Sequence, residues 1–280
     1  MNATPGGAPG SPETRAFFRD GFVVLDRDPR LEAWVEAVRP LARRLAEAAR
    51  TSGAGVRCGS TWFAGVDALG NDAAGAVATE GVPPLDARAL DLARALAGVP
   101  VGALDIGQLS VVWPGYPAAP DGNESEAAFR YRVKRDAAHV DGVQRDAARR
   151  RTLSEAHAFL LGIPLETMPP EAAPFVVWRG SHEVMRRALA RRLAGVAVAG
   201  WPREDVTEAY QAARRTAFET CERVTIAASP GAAYVVHRLA LHGVAPWPST
   251  DALTARPRAV VYFRPEPDGA RDLARWLGAP

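Results

Sequence analysis

The chain has 280 residues, 48% hydrophobic and 24% charged, which are the proportions of an ordinary soluble globular protein. It is long enough to bury a full core as one domain, and no apolar run is long enough to span a bilayer. The net charge is only +2, and the longest arginine run, 149–151, is too short to indicate nucleic-acid binding. We therefore expect a cytoplasmic protein that binds neither membranes nor nucleic acid.

The N-terminal residues, 1–12, are rich in Gly, Pro and Ala and lack the basic start and apolar stretch of a signal peptide. This composition predicts a disordered tail followed by a single domain over 13–280. Cys58 and Cys221 lie far apart without CxxC spacing, which predicts neither a disulfide framework nor a thiolate zinc site.

The first third of the domain has mainly helical patterning. A short helix, a turn and a strand are predicted over 14–25, followed by an amphipathic helix over 31–50 with apolar residues at helical spacing. A second helix is predicted over 86–96. The glycine-rich stretch between them, 53–81, is typical of loops or short strands near the mouth of a site.

The rest of the chain is dominated by short strands bounded by turn residues. They are predicted at 106–113, 156–163, 174–178, 224–227, 232–237 and 258–263. Between the third and fourth lies a helical insertion, about 183–222, that could cover a site. This order predicts a mainly β fold with flanking helices, a double-stranded β-helix (jelly roll, cupin-like) with catalytic residues at its mouth.

Two histidines and an aspartate have the spacing of a metal site. His139 stands two residues before Asp141, and His242 follows 103 residues after His139. Such a pair with a distant second imidazole suits a non-haem iron site with open coordination positions. A strand-like run is predicted to lead into His139, so that His139 and Asp141 point to one side of a strand and His242 comes from a facing strand.

These features together resemble the phytanoyl-CoA dioxygenase-like branch of the iron- and 2-oxoglutarate-dependent oxygenases. The resemblance covers most of the domain and rests on the stretches 19–25, 139–141, 178–182, 230–242 and 257–263. It implies that His139, Asp141 and His242 bind Fe(II), leaving room for the co-substrate 2-oxoglutarate and for dioxygen. It also implies oxidative decarboxylation to succinate and carbon dioxide, coupled to oxidation of a small-molecule substrate.

Within this family an arginine beyond the distal histidine binds the far carboxylate of 2-oxoglutarate. The resemblance implies Arg258 for this role. Arg256 competes because it shares the strand parity of Arg258, and Arg264 is a third choice. Related halogenases replace the carboxylate ligand with a small residue, so the presence of Asp141 implies hydroxylation. Desaturation or cyclisation would use the same residues.

The other polar and aromatic candidates have simpler interpretations. We expect His182 to be a turn residue, His237 to pack in the fold and His157 to be a hydrogen-bonded core histidine. The aromatic candidates for the mouth of the site are Trp113, Tyr116, Trp178, Trp201 and Trp247. The arginines that could meet an anionic substrate are Arg135, Arg150, Arg179 and Arg238.

Two other functions fit the same pattern. A cupin-type isomerase or hydrolase would bind zinc, manganese or nickel through the same ligands, without 2-oxoglutarate and without need for Arg258. A non-catalytic jelly-roll binding protein would keep the fold alone. The sequence does not identify the primary substrate or the oligomeric state.

Overall fold

A computed structural model describes residues 10–120, 125–153, 155–248, 256–268 and 272–278. Most of the predicted N-terminal tail, residues 1–9, lies outside these ranges. The first helix begins at Pro12, within the predicted tail, because the Ser11 hydroxyl accepts a hydrogen bond from the backbone N–H of Thr14 at 3.1 Å. None of the helices in these ranges combines the length and hydrophobicity needed to cross a bilayer.

The described part of the chain alternates helices with short strands. The helices are α1 (Pro12–Asp20), α2 (Pro29–Ser52), α3 (Arg88–Leu96), α4 (Glu126–Arg135), α5 (Ser181–Leu193), α6 (Thr207–Thr220) and α7 (Leu273–Gly278), with 3-10 helices at Ala78–Glu80 and Val198–Arg203. The strands are β1 (Phe22–Leu25), β2 (Val56–Arg57), β3 (Trp62–Gly65), β4 (Gln108–Val112), β5 (Val143–Arg145), β6 (Arg151–Leu153), β7 (Phe159–Pro164), β8 (Phe175–Trp178), β9 (Arg223–Ile226), β10 (Ala233–His237), β11 (His242–Val244) and β12 (Arg258–Phe263).

Two antiparallel sheets form the centre of the fold. The larger sheet has the strand order β1-β10-β7-β12-β4-β3-β2, and the smaller has the order β11-β8-β9. Strands β5 and β6 pair separately as a hairpin. The predicted mainly β jelly roll with flanking helices is confirmed.

Strand β12 shows how the larger sheet divides the core. Val261 and Phe263 pack against the helices on the outer face, whereas Val260 and Tyr262 belong to the cluster between the two sheets. Because side chains alternate along a strand, Arg258 shares the inner face with Val260 and Tyr262. Strand β12, on which the sequence predicts Arg258, therefore directs the buried guanidinium of that residue into the space between the sheets.

The helical insertion packs on the outer face of the smaller sheet. Helices α5 and α6 contact each other and enclose Val176 and Trp178 of β8, together with Met185, Leu189 and Tyr210. Alternate residues of β8, such as Phe175, face inward. This arrangement places α6 beside the segment that carries His139.

The segment before His139 differs from the prediction. It is the helix α4, which begins where the Ser125 hydroxyl accepts from the backbone N–H of Ala128, and ends at Asp136 with a positive φ of 54°. His139 is extended only as an isolated bridge residue opposite His242. The predicted strand is wrong here. Because α4 buries no residue, its sequence lacks the buried apolar stripe that would have predicted a helix.

Candidate metal centre

His139, Asp141 and His242 come together at the edge of the smaller sheet. One possible ligand atom from each lies within 4.8 Å of the others. The Nε2 atom of His139 is 3.3 Å from Oδ1 of Asp141, and the Nε2 atom of His242 is 3.4 Å from Oδ2. Two imidazole nitrogens and one carboxylate therefore converge on a volume that a single metal ion could fill.

The backbone holds the two histidines opposite each other. The N–H of His139 donates to the carbonyl of His242 at 2.8 Å, and the N–H of His242 donates to the carbonyl of His139 at 3.0 Å. Gly243 allows this approach, because a Cβ there would lie 2.1 Å from the carbonyl oxygen of Asp136. The glycine after His242 is thus required by close backbone packing.

Both rings present the same nitrogen to the site. Nδ1 of His139 lies 3.0 Å from the carbonyl oxygen of Ala137, and Nδ1 of His242 lies 3.0 Å from that of Ala240. Since a carbonyl can only accept, each Nδ1 carries a proton, and in the neutral form of each ring Nε2 keeps its lone pair. Burial lowers the pKa of His242, which favours the neutral ring that a metal requires.

Arg264 fixes the carboxylate of Asp141. Its Nε donates to Oδ2 at 2.6 Å, and its Nη1 donates to the side-chain oxygen of Gln108 at 2.6 Å. Burial alone would raise the pKa of Asp141, but the positive charge of Arg264 outweighs it and holds that pKa well below its usual value. Asp141 is therefore ionised, and its orientation is set from outside the triad.

Arg258 is buried between the sheets near the triad. Its Nη2 donates to the Tyr262 hydroxyl at 3.1 Å, and Tyr234 donates to the same hydroxyl at 3.1 Å. Its Nη1 is buried and has no hydrogen-bond partner among the described residues. The ring of Phe175 connects the two places, because it stacks on His242 at 5.4 Å and lies 5.9 Å from Tyr262.

Arg256 has a different environment from Arg258. It is exposed, and it lines a cavity on the outer face of the larger sheet together with Arg39 and Arg43 of α2. Arg258 instead lines a cavity of about 410 Å³ with Phe175 and Tyr234. The structure thus places Arg256 and Arg258 in different environments, although their shared strand parity did not distinguish them.

The remaining histidines lie apart from the triad. His182 contacts His237 ring to ring at 4.8 Å, and its Nε2 donates to the carbonyl of Phe18 at 3.1 Å. His157 lies between the side chain of Glu155 and the carbonyl of Arg264, each at 2.8 Å. Its contact with Arg264 supports the strand end from which that arginine reaches Asp141.

Of the triad, His139 lines a cavity of about 330 Å³, and its side chain is 49% exposed. Of the five aromatic candidates, Tyr116 lines it, whereas Trp113, Trp178, Trp201 and Trp247 do not. None of the four predicted arginines lines it: Arg150 pairs with Asp146, Arg179 pairs with Asp20 and Glu222, Arg238 binds core carbonyls, and Arg135 contacts the ring of Phe218.

Sequence reasoning missed the polar residues that lie closest to the site. Gln108 and the cavity arginines Arg57, Arg132, Arg151 and Arg214 come from five different elements. The only sequence signal for Arg264 was its position at the end of β12, an even number of residues after Arg258. No local pattern marks the others.

No protein-family model matches the sequence, and no curated protein matches it. Among solved structures, the non-haem α-ketoglutarate-dependent carbocyclase SnoK from nogalamycin biosynthesis is similar at 17% identity, covering 96% of this chain and 91% of that chain with a TM-score of 0.51. EctD from S. alaskensis with bound Fe is similar at 18% identity over 95% of this chain and 79% of that chain, with a TM-score of 0.47. The chain therefore shares its fold with the carbocyclase.

Proposed function

We propose that this protein is a non-haem Fe(II)- and 2-oxoglutarate-dependent dioxygenase that hydroxylates a small-molecule substrate and releases succinate and carbon dioxide. The observation that carries the proposal is the convergence of His139, Asp141 and His242, with the two Nε2 atoms 3.3 Å and 3.4 Å from the carboxylate oxygens. The fold shared with the carbocyclase supports it. A cytoplasmic location, expected from the sequence, belongs to the same proposal.

The donor set fits iron. Two neutral imidazoles and one carboxylate leave positions open on a six-coordinate ion, as non-haem Fe(II) oxygenases require. Nε2 of His242 is buried and has no hydrogen-bond partner in the part of the chain that the structure describes, so a metal ion would satisfy an otherwise isolated acceptor. His139, Asp141 and His242 would hold the ion.

The site also fits a dicarboxylate co-substrate. Arg258 is a buried cation that binds a tyrosine hydroxyl and has one unpartnered nitrogen, an arrangement that a carboxylate would complete with two parallel hydrogen bonds. We assign Arg258 rather than Arg256 because Arg256 is exposed on the other face of the sheet. Arg264 is already engaged by Asp141 and Gln108.

The protein would contribute position and shielding to the reaction. Bound iron would supply the redox chemistry by which dioxygen oxidises both 2-oxoglutarate, with loss of carbon dioxide, and an unactivated C–H bond of the substrate. Arg264 keeps Asp141 ionised and oriented, and the carbonyls of Ala137 and Ala240 fix the histidine tautomers. Phe175 covers the His242 ring, whose side chain is only 4% exposed, and so keeps water from that side.

The two alternative functions differ from the dioxygenase in which site residues they require. A cupin-type isomerase or hydrolase would use the triad with zinc, manganese or nickel and would leave the buried Nη1 of Arg258 unexplained. A non-catalytic binding protein would need neither the ionised Asp141 nor the paired tautomers. The retained carboxylate also favours hydroxylation over halogenation, which needs that position on the metal for a halide.

The proposal can be tested by anaerobic titration of the protein with Fe(II) and 2-oxoglutarate, followed by visible absorption. A chelated keto acid on Fe(II) gives a weak metal-to-ligand charge-transfer band, which we expect in the wild type and expect Asp141→Ala to lose. Asp146→Ala, which removes an exposed carboxylate paired with Arg150, serves as the matched control and should keep the band. Metal binding without the band would favour the cupin-type enzyme, and no metal binding would favour the binding protein.

A further inference from the structure

The cavity beside His139 has an unusual charge pattern. Its charged lining residues are Arg57, Arg132, Arg151 and Arg214, and none of the described residues that line it is acidic. Trp62, Tyr116 and Tyr131 supply aromatic wall, and Val112 and Val244 supply aliphatic wall. The cavity therefore combines an apolar body with a positively charged side.

Three of these arginines have no acidic partner. In the described ranges, Arg57, Arg151 and Arg214 form no ion pair with a carboxylate, and their guanidinium groups lie over aromatic rings instead. Elsewhere in the protein, half-exposed arginines such as Arg179 and Arg192 are paired with acidic side chains. Arg50 and Arg135 outside the cavity also lie over aromatic rings, so the cavity is distinguished by having three such arginines line one volume.

Such an arrangement is unfavourable without an anion. Burial lowers the pKa of Arg151, and the nearby guanidinium groups of Arg145 and Arg214 act in the same direction. Like charges that share a partly desolvated volume repel each other, and a bound anion would relieve both the repulsion and the lost hydration. Guanidinium groups also present two N–H donors in one plane, which suits a carboxylate, sulfonate or phosphate.

The arginines are linked to the metal centre through two tyrosines. Arg214 on α6 lies 4.8 Å from the ring centre of Tyr131 and 5.6 Å from that of Tyr210. The Tyr131 hydroxyl donates to the carbonyl of Ala138 at 2.6 Å, and the N–H of Val140 donates to the Tyr210 hydroxyl at 3.3 Å. These bonds hold the residues on both sides of His139. An anion at Arg214 would therefore lie in the cavity that His139 lines.

We propose that the primary substrate is a small organic anion with a planar or apolar body, its acidic group bound by Arg151, Arg214 and Arg57. Its body packs on Trp62 and Tyr116, next to His139. This inference rests on the proposed function for the identity of the cavity as the substrate site. The anion site itself does not depend on iron, and Arg258, the residue assigned to 2-oxoglutarate, lines a different cavity.

The test compares matched anionic and neutral probes on the full-length, metal-free protein by calorimetry or tryptophan fluorescence. The pairs are benzoate with benzamide, and naphthoate with naphthamide. We expect each anion to bind about tenfold or more tightly than its amide, since a charge-assisted hydrogen bond contributes about 1.4 kcal/mol or more. Arg214→Gln and Arg151→Gln should each remove most of that preference and leave amide binding unchanged.

Control variants make the result specific. Arg215→Gln changes the next residue on α6, which does not line the cavity, and should keep the full preference for the anion. Arg57→Gln changes the exposed member of the proposed anion-binding cluster (Arg57, Arg151 and Arg214), and so tests that cluster without disturbing the core. Arg258→Gln should also keep the preference.

The outcomes separate this inference from the proposed function. Equal binding of anions and amides, failure of both anions to bind, or a preference lost in Arg258→Gln but kept in Arg214→Gln would each overturn the anion site. A preference that depends on Arg214 in a protein without the Fe(II)–2-oxoglutarate band would leave the anion site standing and remove the dioxygenase. The Fe(II)–2-oxoglutarate band in a protein that shows no preference for the anions would leave the dioxygenase standing and remove the anion site.

Discussion

The guanidinium of Arg264 holds Asp141 and Gln108 together, with donor–acceptor distances of 2.6 Å to each. The carboxylate of the candidate metal centre is therefore oriented by a residue 123 positions away in the chain. The backbone N–H of Arg264 donates to Asp105 at 2.8 Å, and His157 contacts its carbonyl. This network positions a metal ligand without contributing a ligand atom.

We expect Arg264→Gln to weaken Fe(II) binding. Partners that orient metal ligands typically change affinity by about 10–100-fold when they are removed, and we expect a loss in that range. Anaerobic Fe(II) titration would measure it, with Arg187→Gln on the surface of α5 as the control, because its side chain is 66% exposed. Unchanged affinity in Arg264→Gln would show that Asp141 is oriented without this contact.

Gly243→Ala should disrupt the metal centre through the backbone. The added Cβ would meet the carbonyl oxygen of Asp136 at 2.1 Å, and that backbone cannot move without separating His139 from His242. Overpacking of this kind costs about 1–3 kcal/mol or more, so the melting temperature and the metal affinity should both fall.

Gly200→Ala provides a matched control for this substitution. A Cβ at Gly200 would meet only a side-chain atom of Val196, at the ordinary contact distance of 3.4 Å, and the backbone there has no positive φ. We expect its melting temperature and metal affinity to match the wild type. If Gly243→Ala behaves in the same way, the close approach of the two segments is not required.

The stability of the metal-free protein should decrease as the pH falls below about 6.5, partly because of His182. Burial lowers the pKa of His182, and its Nδ1 has no hydrogen-bond partner within the described ranges. The unfolded chain then binds more protons than the folded protein between the lowered pKa and about 6.5, so the free energy of unfolding falls across that interval and levels off below it.

Replacement of His182 should remove its share of this pH dependence. We expect His182→Asn, which keeps a donor for the carbonyl of Phe18, to have a shallower change in unfolding free energy between pH 7 and 5. Chemical denaturation at a series of pH values would measure it. A slope identical to that of the wild type would mean that His182 does not titrate in this interval.

The parts of the fold and site that the sequence predicts are those with a short-range signal. Alternating apolar residues predict β12 and the inward direction of Arg258, and the spacing of His139 and Asp141 predicts their proximity. The contact of Arg264 with Asp141 has no such signal, because it depends on how the end of β12 meets a loop from a distant part of the chain. Helix α4 was missed for a related reason: its apolar residues, such as Phe129 and Val133, form no buried stripe.

The cavity arginines show the same limit. Arg214 lies on α6 and Arg57 on β2, and only the packing of the helical insertion against the segment of His139 brings them to one cavity. Arg150 and Arg179 were reasonable candidates in the sequence, but acidic neighbours neutralise them in the fold. Arginine content could suggest an anionic ligand, whereas only the structure shows which arginines lack acidic partners.

Arg258→Gln should raise the 2-oxoglutarate concentration needed to form the charge-transfer band by about tenfold or more, because it removes a charge-assisted pair in a buried site. Fe(II) affinity should stay unchanged, since Arg258 touches none of the three candidate ligands. Tyr262→Phe removes only the hydroxyl that accepts from Nη2, so we expect a smaller effect in the same direction. Arg256→Gln is the matched comparison: its position on the outer face predicts no effect, and a large effect there with none at Arg258 would reassign the co-substrate anchor.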